Sequence, residues 1–423
     1  MRDPFAKFVH KKITGGSDIY ASHWPNWPSE RVAIIIHAGS LQDQKGLEGT
    51  AHLLEHLFLY GGKWDMESEN YDFFQKTGGD IDLETGEFNT EYIFWGPAKV
   101  GFVAKALDLT GNLVSIFPIN KDIMEKEREI VQREFKKDYP LQYVYNNDIR
   151  ENKTIFSRTP LERCILSILG SPETIDAITV ADLTNFHRQY YLPANISIVA
   201  AGGLPVEKFF QLIANSPFSA SGGQRVKLLE PLAKLPPLSE NRLDFSLGDY
   251  VKNSAGINNS RLKIAATLPG TISEQAIIVG HHVINAAIDD EICDKLAWSY
   301  HFNWVWDEYE NYQALYKIII DFDDLPPDKL LQTEQAIADV MAKLSEDEYS
   351  FKKIKNYLVN RLKIWDHSVE SLVGAALEQI TSHQRLPTYA ELIAARESVT
   401  MDDFREMLSH LTPDRLWTLA QEP

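Results

Sequence analysis

The sequence predicts an α/β (α+β) protein made of two homologous domains. Its 423 residues are too many for one hydrophobic core and suit two domains of about 200 residues each. A Ser- and Gly-rich stretch followed by several prolines lies within residues 216–240, which is the composition of a linker. The second half also repeats the first in outline. We therefore expect domains at 1–218 and 241–423, joined by a linker at 219–240.

The elements of the first half follow from apolar patterning and from turn residues. Apolar runs predict strands at 13–20 and 32–37, and the prolines at Pro25 and Pro28 predict a loop between them. Thr179 is a candidate N-cap for a later helix. The other predicted elements, in order, are helices at 50–57 and 69–76, hairpin strands at 81–83 and 91–95, helices at 98–115, 122–136 and 139–156, and a strand at 196–201.

The second half offers a counterpart for several of these elements. Residues 261–267 predict a strand and 273–289 a helix, in the order of the strand and helix at 32–57. Thr400 matches Thr179 as a helix start, and 416–419 predict the last strand. These correspondences favour two copies of one unit.

One chemical motif stands out, His52-x-x-Glu55-His56. On a helix, residues three and four apart share a face, so two imidazoles can bind one zinc ion and a carboxylate can reach a water beside it. Glu55 is then a candidate general base. The adjacent histidines His281-His282 lack this spacing, and we interpret them as a core or surface pair.

A catalytic zinc site needs a third protein ligand, and the helix at 122–136 offers two candidates. Glu127 and Glu134 are seven residues apart, which is two turns on one helical face. One can coordinate the metal while the other orients a ligand. Spacing alone leaves open which does which.

These residues resemble a known family. His52-x-x-Glu55-His56 followed by Glu127-Arg128-x-x-Val131-x-x-Glu134 is similar to the inverted-zincin metallopeptidases, the pitrilysin, insulinase and mitochondrial processing peptidase family. The resemblance implies one zinc ion per chain, held by His52, His56 and Glu134, with Glu55 as the base and Glu127 as a supporting carboxylate. It also implies two domains, each a mostly antiparallel or mixed sheet packed against helices, that form a half-shell.

Two departures from the family pattern bear on substrate binding. Relatives that act alone carry an Arg and a Tyr in the second half that hold the substrate, whereas Glu291 and Trp298 stand at those positions here. This implies a paralogous partner that supplies the pair. The edge strand Asp82-Leu83-Glu84-Thr85 resembles the substrate-binding strand, although Asp82 replaces the usual Asn. With Asp82 in this position, we expect the strand to favour peptides that carry basic side chains.

Bulk properties narrow the class further. A formal net charge of −18 argues against nucleic acid and anionic membrane surfaces as partners. Two cysteines, Cys164 and Cys293, fit reduced thiols in place of a disulfide framework. We see no signal peptide or transmembrane stretch and expect a cytoplasmic protein.

The sequence thus predicts a zinc endopeptidase subunit that cleaves peptides or unfolded segments bound as an added β-strand and acts as a heterodimer. Two alternatives stay open. One is a self-sufficient homodimeric zinc peptidase in which Tyr300 or a nearby basic residue replaces the missing pair. The other is a non-catalytic peptide-binding or scaffold subunit. The aromatic segment from Tyr300 to Tyr316 favours a core or subunit interface over a peptide pocket.

Overall fold

The structure is a computed structural model that describes residues 3–60, 69–111, 115, 119–139, 142–166, 168–246, 260–299, 309–364, 368–412 and 415–422. The strands are β1 Val9–Lys12, β2 Asp18–His23, β3 Ser29–Ile36, β4 Asp80–Thr85, β5 Thr90–Pro97, β6 Ile196–Gly202, β7 Arg242–Ser246, β8 Ser260–Pro269, β9 Tyr309–Asn311, β10 Leu315–Leu325 and β11 Leu416–Glu422.

Helices occupy most of the remaining described residues. They are α1 Thr50–Tyr60, α2 Glu69–Thr77, α3 Val100–Gly111, α4 Lys121–Asp138, α5 Gln142–Phe156, α6 Pro172–Ala177, α7 Val180–Tyr190, α8 Val206–Ala214, α9 Glu274–Asp289, α10 Leu330–Leu344, α11 Glu348–Lys363, α12 Val369–His383, α13 Tyr389–Ser398 and α14 Met401–Ser409. A π-helical turn, Asp290–Lys295, extends α9.

Two sheets with the same internal order form the frame of the molecule. The first has the order β1-β2-β6-β3-β5-β4, and the second has the order β7-β11-β8-β10-β9. Five neighbouring strands of the first sheet, β2-β6-β3-β5-β4, correspond to β7-β11-β8-β10-β9 of the second. β6 runs parallel to β2 and antiparallel to β3, and β11 likewise runs parallel to β7 and antiparallel to β8. The shared pattern confirms the prediction of two homologous α/β units with mixed, mostly antiparallel sheets packed against helices.

Residue contacts divide the chain into two compact units. The first comprises Met1–Asn152, Leu161–Leu228 and Asp366–Tyr389, and the second comprises the rest. Helix α12 belongs to the first unit because it packs against β3 and β6. One of the points at which the chain passes between the units follows Leu228, inside the predicted linker, and the others follow residues 152, 160, 365 and 389. As folding domains, 1–218 and 241–423 with the linker 219–240 stay a prediction, and so does the half-shell.

The predicted elements agree with the structure except near the N-terminus. A strand was expected over 13–20, but Ile13 to Ser17 form a turn closed by the hydrogen bond from Ile13 N to Ser17 O. Gly15 has a φ of +66°, a conformation that breaks an extended strand. Residues 13–17 therefore form the turn between β1 and β2, and only the end of the predicted run, residues 18–20, lies in a strand, β2. Thr179 and Thr400 both cap their helices, each in a capping box with an Asp three residues later.

Two further observations concern membrane-spanning helices and the state of the cysteines. None of the helices in the described ranges is long and apolar enough to cross a membrane. Cys164 and Cys293, both among the described residues, are not joined by a disulfide bond. The prediction of a cytoplasmic location is not tested by either observation.

Candidate metal centre and peptide edge

Helix α1 begins where a carboxylate from an earlier turn meets its first N–H groups. Asp43 Oδ2 accepts from Gly49 N at 2.8 Å and Asp43 Oδ1 accepts from Ala51 N at 2.9 Å. The residue before the helix must be glycine, since Gly49 has a φ of +95° and an added Cβ would lie 2.7 Å from Leu169 O. These contacts fix the helix two residues before His52.

One side of α1 packs into the hydrophobic core and the other lines a cleft. Leu53, Leu54 and Leu57 are buried in the core of the first unit, which holds the helix rigidly. His52, Glu55 and His56 lie on the side that lines a cleft of about 610 Å³. The rings of His52 and His56 are 4.7 Å apart between centroids and nearly perpendicular. The face predicted from the motif spacing is therefore formed.

Three side chains in this cleft converge on one point. One ligand atom from each of His52, His56 and Glu134 lies within 4.8 Å of the others. Glu134 Oε2 is 3.8 Å from His52 Nε2 and 3.3 Å from His56 Nε2. Ligand atoms about 2 Å from a tetrahedral zinc ion are about 3.3 Å from one another, so this donor set fits zinc. Among the described residues it is the one such group.

Helix α4 supplies the carboxylates. Its first turn is capped by Asn120, whose side chain accepts from Asp122 N and Ile123 N. Glu127 is buried, and its Oε2 lies 3.3 Å from His56 Nδ1, the ring nitrogen that does not face Glu134. A hydrogen bond on that nitrogen fixes the ring orientation of a metal-binding histidine. The adjacent Arg128 donates to Ile175 O and Ile178 O and so fastens α4 to α6.

Burial dominates the electrostatics of the cleft. Burial, with a smaller contribution from His56, lowers the pKa of His52 to about 3, which keeps its imidazole neutral as a ligand requires. Burial also raises the pKa of Glu55 to about 7, although His56 and a hydrogen bond from Thr85 oppose it. Burial would lower the pKa of His56, but its contact with Glu127 and the charges of Glu55 and Glu134 raise it. Because a metal ion binds the neutral imidazole, this raised pKa opposes metal binding as the pH falls.

The same cleft is bordered by the edge strand of the first sheet. β4 is the last strand in that sheet, and all four predicted edge residues line the cleft. Asp82 and Glu84 are exposed, Leu83 is half-buried, and Thr85 is buried. Thr85 Oγ1 donates to Glu55 Oε2 at 2.8 Å. Tyr139, Ile168 and Leu169 complete the wall.

Glu291 and Trp298, which the sequence analysis assigned to the positions of a substrate clamp, lie in the second unit. Glu291 belongs to the π-helical turn and pairs with Lys295 at 3.2 Å. Trp298 N donates to Ile292 O, and Lys329 Nζ lies 5.4 Å from the centre of the Trp298 ring. Residues 300–308, which hold most of the aromatic segment and Tyr300, lie outside the described residues. His281 and His282 lie on α9, where His281 Nε2 contacts Asn285.

Comparison with protein families decides the classification. The model of Insulinase (Peptidase family M16) matches residues 19–161, and that of the Peptidase M16 inactive domain matches residues 177–358. This chain belongs to peptidase family M16. The first match contains α1, α4 and β4, and the second contains the positions of Glu291 and Trp298.

Named relatives of this M16 chain are distant. The mitochondrial-processing peptidase subunit beta of Neurospora crassa is 25% identical over 254 residues, which cover 60% of this chain and 51% of the relative. A zinc protease of Streptomyces coelicolor is 25% identical over 52% of this chain and 47% of its own length. The chain spans about half the length of the curated relatives it matches.

Solved structures support the fold. A Peptidase M16 inactive domain from Pseudomonas fluorescens superimposes with a TM-score of 0.79 at 17% identity, covering 98% of each chain. At this identity the likeness concerns the M16 fold alone. The same fold accounts for the two sheets of equal order.

Three contacts of this M16 site were not foreseen from the sequence. Asp43 lies seven residues before α1, whereas an N-cap is expected directly before the helix. Arg128 lies in the segment between Glu127 and Glu134, but the sequence does not indicate which groups it contacts. Thr85 was assigned to the peptide edge, but its side chain is buried against Glu55. Alternation along β4 could have indicated this, since Ile81, Leu83 and Thr85 share one face.

Proposed function

We propose that this chain is the zinc-bearing subunit of an M16 endopeptidase that cleaves a peptide bound along β4. One observation carries the proposal. The donor atoms of His52, His56 and Glu134 converge in a cleft that also contains Glu55 and the outer edge of β4, the last strand of the sheet in the described part of the chain. Ligands, a base and a main-chain template for substrate are the three parts that such a reaction needs.

His52, His56 and Glu134 would hold the zinc ion, and Glu127 would orient His56. Their spacing fits the ion, and the zinc protease among the relatives supports the choice of metal. Zinc supplies Lewis acidity there, polarising a carbonyl oxygen and lowering the pKa of water. Metal analysis of the purified protein tests this assignment. We expect one zinc ion per chain in the wild type and none in the His52→Ala, His56→Ala double variant.

Glu55 would move the proton. Its carboxylate accepts a proton from the attacking water while the water oxygen bonds to the scissile carbonyl carbon. The same carboxyl group then donates that proton to the nitrogen as the C–N bond breaks. A pKa of about 7 suits both directions of transfer near neutral pH.

The substrate would be an extended segment of peptide. Main-chain hydrogen bonds to β4 would supply affinity without regard to sequence, as in other cases of strand addition. Asp82 and Glu84 are exposed on this strand, and the chain carries a net charge of −18. Both features favour basic side chains in the peptide.

A paralogous partner would supply the Arg and Tyr that this chain lacks. Glu291 accepts hydrogen bonds and carries negative charge, so it cannot replace a guanidinium group. The relative from Neurospora crassa is itself a subunit by name, which supports a heterodimer. A self-sufficient homodimer and a non-catalytic scaffold are the competing functions, and the complete ligand set with Glu55 weighs against the scaffold.

Glu55→Gln tests the proposed function. The amide cannot accept the proton, so we expect zinc-dependent peptide cleavage to fall about a thousandfold while zinc content and fold stay unchanged. Glu129→Gln is the matched control, because Glu129 is exposed on α4. Cleavage by wild type should vanish with a chelator and return with zinc. Undiminished cleavage by Glu55→Gln would refute the assignment.

A further inference from the structure

The hydroxyl group of Thr85 holds one oxygen of Glu55. Thr85 Oγ1 donates to Glu55 Oε2 at 2.8 Å, and both residues are buried, with 8% and 6% of their surfaces exposed. Among the described residues, Thr85 is the one side chain whose hydrogen bond to Glu55 the structure shows. When Glu55 is ionised, as it must be to act as a base, this bond is of the stronger, charge-assisted kind.

The contact joins the base to the strand that borders the cleft. Thr85 is the last residue of β4, and its partner across the ladder is Thr90 of β5. Among the residues that the structure describes, β4 has a strand on one side only, so the main chain beside Thr85 belongs to the edge that an added strand would meet. One residue therefore contacts the base with its side chain and adjoins the substrate edge with its backbone.

We propose that Thr85 is a positioning residue that fixes the carboxylate plane of Glu55 for proton transfer, an inference that rests on the proposed function. The terminal torsion of a glutamate has a broad minimum, so a carboxylate without a donor can rotate. With Oε2 held by Thr85, Oε1 is left to accept the proton. Small errors in such an orientation reduce the rate of proton transfer strongly.

This role differs from simple satisfaction of a buried hydroxyl. A hydroxyl that only stabilises the fold affects the free energy of unfolding and leaves the turnover of folded protein unchanged. A positioning hydroxyl changes kcat while KM stays the same, because the substrate main chain still meets β4. Thr90 provides the matched comparison, since it is also buried and its hydroxyl donates to Ala38 O.

The experiment compares Thr85→Val, Thr85→Ser and Thr90→Val, each loaded with zinc and assayed under the conditions in which wild type cleaves peptide. Losing a hydrogen bond to a charged group predicts a kcat about ten- to a hundredfold lower for Thr85→Val, with KM within about twofold. Thr85→Ser should restore kcat to within about threefold. Thr90→Val should unfold more easily and keep its kcat.

Crystal structures of the variants give a readout independent of activity. We expect the Glu55 carboxylate to be rotated or disordered in Thr85→Val and unchanged in Thr85→Ser. Unchanged kcat in Thr85→Val, an equal loss in Thr90→Val, or an unmoved carboxylate would overturn the positioning role alone. A wild-type chain that binds no zinc and cleaves no peptide with any partner would instead refute the proposed function.

Discussion

Glu30 on β3 shows how burial changes the behaviour of a single carboxyl group. It is 2% exposed, and its Oε2 accepts a hydrogen bond from Leu204 N at 2.8 Å. Burial raises the pKa of Glu30 to about 8, although that hydrogen bond opposes the change. The folded protein therefore keeps a proton that the unfolded chain releases above its ordinary pKa near 4.5.

The sign of the pH effect follows from this difference. Between pH 4.5 and 8 the unfolded state binds fewer protons, so Glu30 makes the protein less stable as the pH rises. We predict that Glu30→Gln gains stability relative to wild type by about 1.4 kcal/mol per pH unit in this window. Urea unfolding at pH 5, 6, 7 and 8 measures it. A difference that does not change with pH would contradict the prediction.

The sequence predicts some residues of the site and not others. His52, Glu55 and His56 could be placed because their neighbours lie within one helical turn. Thr85 contacts Glu55 across 30 residues and Asp43 contacts Ala51 across eight, outside any regular element. Such contacts depend on how the chain packs: alternation along β4 indicates that Thr85 faces inward but does not identify its partner, and no periodic pattern indicates the contact of Asp43.

At the scale of elements, the start of α1 depends on Asp43. Its carboxylate is 1% exposed and accepts from two backbone N–H groups. We predict that Asp43→Ala costs about 1–3 kcal/mol in the free energy of unfolding, because buried donors lose their acceptor, and that it weakens zinc binding as well. Asp122→Ala, an exposed residue in the first turn of α4, should cost well under that. Equal losses in the two variants would exclude a special role for Asp43.

The long elements were predicted well because their patterns are strong. Charged helix α4 and the apolar strand β6 appear near the expected limits. The prediction at 13–20 was wrong because Gly15 and Gly16 lie inside the run and form a turn there, and a Gly-Gly pair is itself a turn signal. The packing of α12 on β3 and β6 was also unforeseen, since an amphipathic pattern shows that a helix is buried but not against which sheet.

At the scale of the whole molecule, the two units share the order of five strands but carry different residues at the positions expected to be functional. The first contains the converging histidines and glutamate, and the second has Glu291 and Trp298 where a substrate clamp is expected. The weak repeat in the sequence predicted the duplication, and the sheets confirm it. The sequence of one chain does not predict which protein is its partner.

The proposed loss of the substrate clamp, whose Arg and Tyr would stabilise the oxyanion that develops during cleavage, predicts a poor enzyme in isolation. Missing donors at a developing oxyanion cost about a hundred- to a thousandfold in rate. We therefore expect slow cleavage by the chain alone and a strong increase with a paralogue that carries the Arg and Tyr. The Glu291→Arg, Trp298→Tyr double variant should raise the activity of the isolated chain at least about tenfold, and Glu291→Gln should not. Full activity of the isolated wild type, unchanged by a partner, would reject the heterodimer.

Anomalous X-ray diffraction at the zinc edge tests the central claim most directly. Crystals of the purified chain with zinc should give one strong anomalous peak per chain, within bonding distance of His52 Nε2, His56 Nε2 and a carboxylate oxygen of Glu134. The peak should disappear in the His52→Ala, His56→Ala variant. A peak at other residues, or none at a zinc concentration that saturates the protein, would contradict the assignment of this cleft as the metal centre.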